Sequence, residues 1–80
     1  MKKSEEIYNS FLKKLSTPRD LTNLSNEEKA GIITLFFIGY VAKPIGISNE
    51  LLQKCCDAFN TNRGKTEKEE RAVLKVLEEE

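Results

Sequence analysis

One apolar stretch constrains the fold of this chain more than any other feature. It runs from Gly31 to Ala42, and Ser25 and Glu28 precede it with the spacing of a capping box that starts a helix. The helix predicted over about 26–42 has apolar side chains on nearly every face, so we expect it at the centre of a bundle or at a dimer contact. It is shorter than the roughly 20 apolar residues that a membrane span needs.

Three further helices are predicted around this one. Apolar residues repeat on one face over about 5–15, Ser48 caps a helix over about 49–59, and Thr66 with Glu69 forms a second capping box that starts the last helix. The chain therefore predicts an all-α fold, a small four-helix bundle around the apolar helix, in a single domain over residues 1–80.

The connecting segments carry their own signals. Lys43-Pro44 is expected to end the apolar helix, because proline lacks an N–H donor and the residue before it avoids the α region. Residues 17–20 are predicted to form one short helical turn that begins with Pro18. Leu21 and Leu24 are expected to pin this connector onto the core.

Residues 38–57 carry the main functional signal. A small residue, Ala42, stands four positions before Gly46, and apolar residues occupy the positions that fix a helix crossing: Val41, Ile45, Ile47, Leu52 and Cys55. This segment resembles the helix-turn-helix domains of bacterial and phage repressors. The resemblance implies a recognition helix over 48–56 and a small DNA-binding regulator that acts as a homodimer.

The resemblance also implies which side chains meet DNA. Amide side chains of the recognition helix would read adenine, its lysine would meet guanine or phosphate, and nearby basic residues would hold the backbone. These candidate DNA contacts are Lys43, Ser48, Asn49, Gln53, Lys54, Arg63 and Lys65.

The alternative interpretation is a plain turn between two packed helices. The function is then that of a non-enzymatic protein-binding module, such as an inhibitor, an antitoxin-like factor or an assembly adaptor. The aromatic side chains of the apolar helix exceed what one small bundle can cover, which favours a partner surface. DNA binding requires Asn49, Gln53 and Lys54 on a surface that is neither concave nor acidic, whereas protein binding requires a contiguous exposed apolar patch.

The composition excludes several other classes of function. Thirteen basic and thirteen acidic residues give a net charge of zero, and the chain has no histidine. No nucleophile has an evident base and no glycine-rich phosphate loop is present, so we expect no enzyme, cofactor, metal, small-molecule substrate or membrane contact. Cys55 and Cys56 are neighbours in an apolar stripe, which favours core packing and a reducing, cytoplasmic compartment.

Overall fold

The structure is a computed structural model that describes residues 17–80. This part of the chain contains three helices and no strand: α1 is Asn26–Phe37, α2 is Asn49–Thr61 and α3 is Thr66–Glu79. The all-α prediction is confirmed for the described residues, where three of the four predicted helices are present; the helix predicted over 5–15 lies outside them. None of the three combines the length and the apolar composition that crossing a bilayer requires.

The last helix, rather than the apolar one, lies at the centre of these three. α3 packs extensively against both α1 and α2, whereas α1 and α2 make little contact with each other. Val73 and Leu77 of α3 are buried, while Leu35 and Ile38 at the end of the apolar stretch are each 37% exposed. Among the described helices the apolar one is therefore not central, because one face of α1 suffices for its packing on α3. The core consists of Leu21, Ala30, Ile33, Leu52, Cys55, Phe59, Val73 and Leu77.

The predicted start of α1 is confirmed and its predicted end is wrong. The N–H of Glu28 donates to Ser25 Oγ (3.2 Å) and the N–H of Ser25 donates to Glu28 Oε1 (3.1 Å), which completes the capping box. At the other end the N–H of Gly39, with φ of 86°, donates to the Phe36 carbonyl. This is the closing bond of a glycine-terminated helix, and it stops α1 at Phe37 before Pro44 is reached.

The starts of α2 and α3 differ in how they are capped. Ser48 Oγ accepts from the N–H of Leu51 (3.2 Å), as predicted. The capping box predicted for Thr66 and Glu69 is wrong, because Lys65 is the N-cap of α3 and makes no side-chain cap bond. Glu69 instead turns inward, is buried, and accepts from the N–H of Gly64 at 3.4 Å.

The connector before α1 is extended rather than helical. Asp20 and Ile45 form an isolated parallel bridge, in which Ile45 O accepts from the N–H of Leu21 and Ile45 N–H donates to Arg19 O, both at 2.9 Å. The short helical turn predicted for 17–20 is therefore wrong, since these backbone groups bond to the α1–α2 connection. Leu21 is fully buried, so its predicted role as an anchor is confirmed.

Candidate binding groove

An apolar groove lies between the end of α1 and the beginning of α2. One wall is formed by four residues of α2, Asn49, Leu52, Gln53 and Cys56, whose i, i+3, i+4, i+7 spacing defines a single helix face. The opposite wall consists of Phe36 and Phe37 of α1, and Lys43 lies on the connection between the helices. The groove encloses about 490 Å³ and exists because α1 and α2 each pack on α3 and hardly touch each other.

A row of rings connects the groove to the core. The ring of Phe37 packs against Phe36, with centroids 5.6 Å apart, and against Phe59, with centroids 5.2 Å apart. Phe59 is buried, and the guanidinium of Arg63 lies 5.4 Å above its ring. Tilted ring pairs of this kind add to the energy of area burial, so the aromatic wall is held by the core rather than by solvent-exposed contacts.

The rim of the groove is polar. Lys43 Nζ donates to Asn49 Oδ1 (3.3 Å), and Gln53 Nε2 donates to Asp57 Oδ1 (3.1 Å). Among the lining residues that belong to the described part of the chain, Lys43 is the single charged side chain. The groove therefore offers apolar contact in its interior and a weak positive charge at its edge.

The predicted DNA contacts are all exposed, but several are engaged within the chain. Asn49 and Gln53 line the groove, a concave surface, together with Lys43. Lys54 points away from them and forms an ion pair with Glu80 (Nζ–Oε2, 3.1 Å). Ser48 uses its hydroxyl for the helix cap.

The remaining two predicted contacts lie beyond α2. Arg63 stacks on Phe59, and Lys65 begins α3. Neither residue lines the groove, so the structure does not bring all seven candidates onto one feature. The segment between α1 and α2 is also longer than the turn that the resemblance implies, since residues 38–48 are not helical.

The two cysteines have different environments. Cys55 is fully buried, and this burial, with smaller contributions from Glu80 and Cys56, raises the pKa of its thiol to about 11. Cys56 is half-buried and lines the groove, with its Sγ accepting from Asn60 Nδ2 at 3.6 Å. Both thiols are free. Core packing is thus confirmed for Cys55, whereas Cys56 also belongs to the groove surface.

From the sequence, the apolar groove residues were assigned to the core and the polar ones, Lys43, Asn49 and Gln53, to DNA contact. Phe36, Phe37, Leu52 and Cys56 all fit an inward stripe, and the excess of aromatic residues in the apolar stretch was the one signal of an uncovered surface. The groove itself follows from how α1 and α2 diverge over α3, and this angle has no local sequence signature.

Comparison of the chain with protein-family models, with curated proteins and with solved structures found no match. Among residues 17–80, no cluster of three or more metal-ligating side chains occurs. The groove is therefore the feature of residues 17–80 that indicates a function.

Proposed function

We propose that the chain is a non-enzymatic protein-binding module and that the groove between α1 and α2 is its binding surface. The observation that supports this proposal is the groove itself, whose apolar walls are formed by Phe36, Phe37, Leu52 and Cys56.

Two further observations support protein rather than DNA as the partner. Asn49 and Gln53, which would have to enter the major groove, line a concave surface. Lys54 is paired with Glu80, which places a carboxylate beside the cation that would meet phosphate. DNA contact through the seven exposed residues is the second candidate function, and it is an outcome of the same experiment. The two free thiols fit a reducing setting such as the cytoplasm.

The experiment compares proteins and nucleic acids that the immobilised chain captures from a cell extract, both identified by mass spectrometry. Gln53→Trp places bulk at the groove rim without changing its charge or removing an apolar contact, and Phe36→Ser removes one ring of the aromatic wall. Ile45→Ser is the matched control, because Ile45 is exposed but lies outside the groove lining. Circular dichroism must be unchanged in each variant.

If the groove is the binding surface, the wild-type chain and Ile45→Ser should capture the same protein, and both groove variants should lose it. The purified partner should also slow the alkylation of Cys56. The chain should then pass through a heparin column. Retention on heparin with a steep salt dependence, abolished when Lys54, Arg63 and Lys65 are changed to Ala, would establish DNA binding instead. Light scattering of the isolated chain tests whether the captured partner is a second copy, which is the predicted homodimer.

A further inference from the structure

We propose that the occupant of the groove is an amphipathic helix whose apolar stripe is flanked by acidic side chains. The proposal rests on the proposed function and adds the chemistry of the partner. It follows from the shape of the groove, from the charge of its lining and from the absence of a strand edge in the described part of the chain.

The shape of the groove matches a helix. The α2 wall extends from Asn49 to Cys56, two turns and about 10 Å at 1.5 Å per residue. Apolar side chains at i, i+3 or i+4, and i+7 of a second helix cover the same length. Phe36 and Phe37 stand opposite this wall, so such a stripe would contact rings on one side and Leu52 and Cys56 on the other.

An extended peptide fits these residues less well. Binding as an added strand requires an exposed sheet edge whose backbone groups pair with the peptide. Residues 17–80 contain no strand, and the isolated bridge between Asp20 and Ile45 already uses its backbone groups within the chain. A helix satisfies its own backbone hydrogen bonds and needs only the side-chain contacts that the groove offers.

The charge of the lining selects an acidic partner. Among residues 17–80 no carboxylate lines the groove itself, and the Asp57 carboxylate at its rim accepts from Gln53. Lys43 makes its hydrogen bond to the neutral amide of Asn49. The ion pair found among residues 17–80 is that of Lys54 with Glu80, which leaves Lys43 available for a carboxylate. A glutamate or aspartate beside the apolar stripe gains this pairing, whereas a lysine there is repelled.

The test is selection from a displayed library of random 16-residue peptides, made in parallel on the wild-type chain and on Lys43→Glu. Lys65→Glu is the matched control, since it makes the same change of charge in the loop before α3, outside the groove. Wild type and Lys65→Glu should enrich apolar residues at i, i+3 or i+4, and i+7 with flanking Asp or Glu. Lys43→Glu should keep the apolar spacing and shift the flanks to Lys or Arg.

Fluorescence anisotropy then measures one selected acidic peptide and its copy with the acids changed to lysine. Lys43→Glu should weaken binding of the acidic peptide by about threefold to tenfold. It should also reverse the order of affinity, so that the lysine copy binds more tightly than the acidic peptide. Helical peptides with no acidic preference, or peptides without helical spacing, would overturn this inference and leave the proposed function standing. A selection that enriches no sequence at all, or only sequences that Phe36→Ser still binds, would reject the groove itself.

Discussion

Gly46 is constrained both by its backbone conformation and by its neighbours. Its φ is 82°, and a β-carbon there would lie 2.6 Å from Asp20 Oδ1 and 2.7 Å from Thr22 Oγ1. The spacing of the sequence predicted a turn at Gly46, and its positive φ confirms the turn. The crossing with the connector before α1 was not predictable, because it joins segments that are distant in sequence.

Gly46→Ala should therefore destabilise the fold by about 1–3 kcal/mol, since both the positive φ and the contacts oppose a side chain. Gly39→Ala is the matched control, because Gly39 has a φ of 86° and no atom within 4 Å of the added carbon. Urea unfolding should show a larger decrease in the free energy of unfolding for Gly46→Ala than for Gly39→Ala, with the m value unchanged in both variants. Equal losses would mean that the connector moves aside without cost.

The two cysteines should differ in reactivity. With a pKa of about 11, roughly one Cys55 thiol in a thousand is ionised at pH 8, and its side chain is buried, so alkylation should be very slow. Cys56 lines the groove and should react first. Mass spectrometry after iodoacetamide treatment should find one fast site, and Cys56→Ser should remove it. Fast labelling that persists in Cys56→Ser would contradict the placement of Cys55.

At the scale of elements, helix starts were more predictable than helix ends. In the caps at Ser25 and Ser48 the serine hydroxyl accepts from a backbone N–H three residues later. Such a cap is predictable because it depends only on a serine at the right position in the sequence. The end of α1 was predicted too late because apolar residues continue to Ala42. The positive φ of Gly39 ended the helix first, and a glycine within an apolar run is an ambiguous local signal.

The two serine caps should respond differently to acid. The backbone N–H and the hydroxyl of Ser25 both donate to the Glu28 carboxylate, and these bonds lower the pKa of Glu28 from its usual 4.5. A lowered pKa means that the carboxylate's contribution is present above pH 4.5 and is lost as the pH falls through the lowered value. The Ser48 cap contains no carboxylate partner.

Nuclear magnetic resonance can follow this difference residue by residue. Carbon chemical shifts of residues 26–29 should lose helical character below pH 4.5, while those of residues 49–52 should change little until global unfolding. Glu28→Gln should remove most of the pH dependence at the start of α1. Simultaneous loss at both helix starts would show that acid acts on the whole fold instead.

At the scale of the whole molecule, α3 holds the described fold together. It is the helix that packs against both others, and its buried residues Val73 and Leu77 belong to the same core as Ile33 of α1 and Phe59 of α2. The sequence predicted a helix at this place in the chain. It did not predict that α3 would be central, because a short amphipathic helix and an all-round apolar helix give no direct information on which packs against more neighbours.

Leu77→Ala should lower the free energy of unfolding by about 2–5 kcal/mol, because Leu77 is only 6% exposed and its truncation leaves a cavity. Since α3 supports both neighbours, amide hydrogen exchange should accelerate in α1 and α2 together. Leu35→Ala, at an exposed position of α1, should change stability much less. Faster exchange confined to one neighbour would contradict the central role of α3.

The position of α3 in the chain order also bears on folding during synthesis. α1 and α2 emerge first, but the surfaces that they bury are supplied mainly by residues 66–79. A nascent chain that lacks those residues exposes the apolar faces of both helices and has few tertiary contacts to hold them. Folding of these three helices must therefore wait until α3 has left the ribosome.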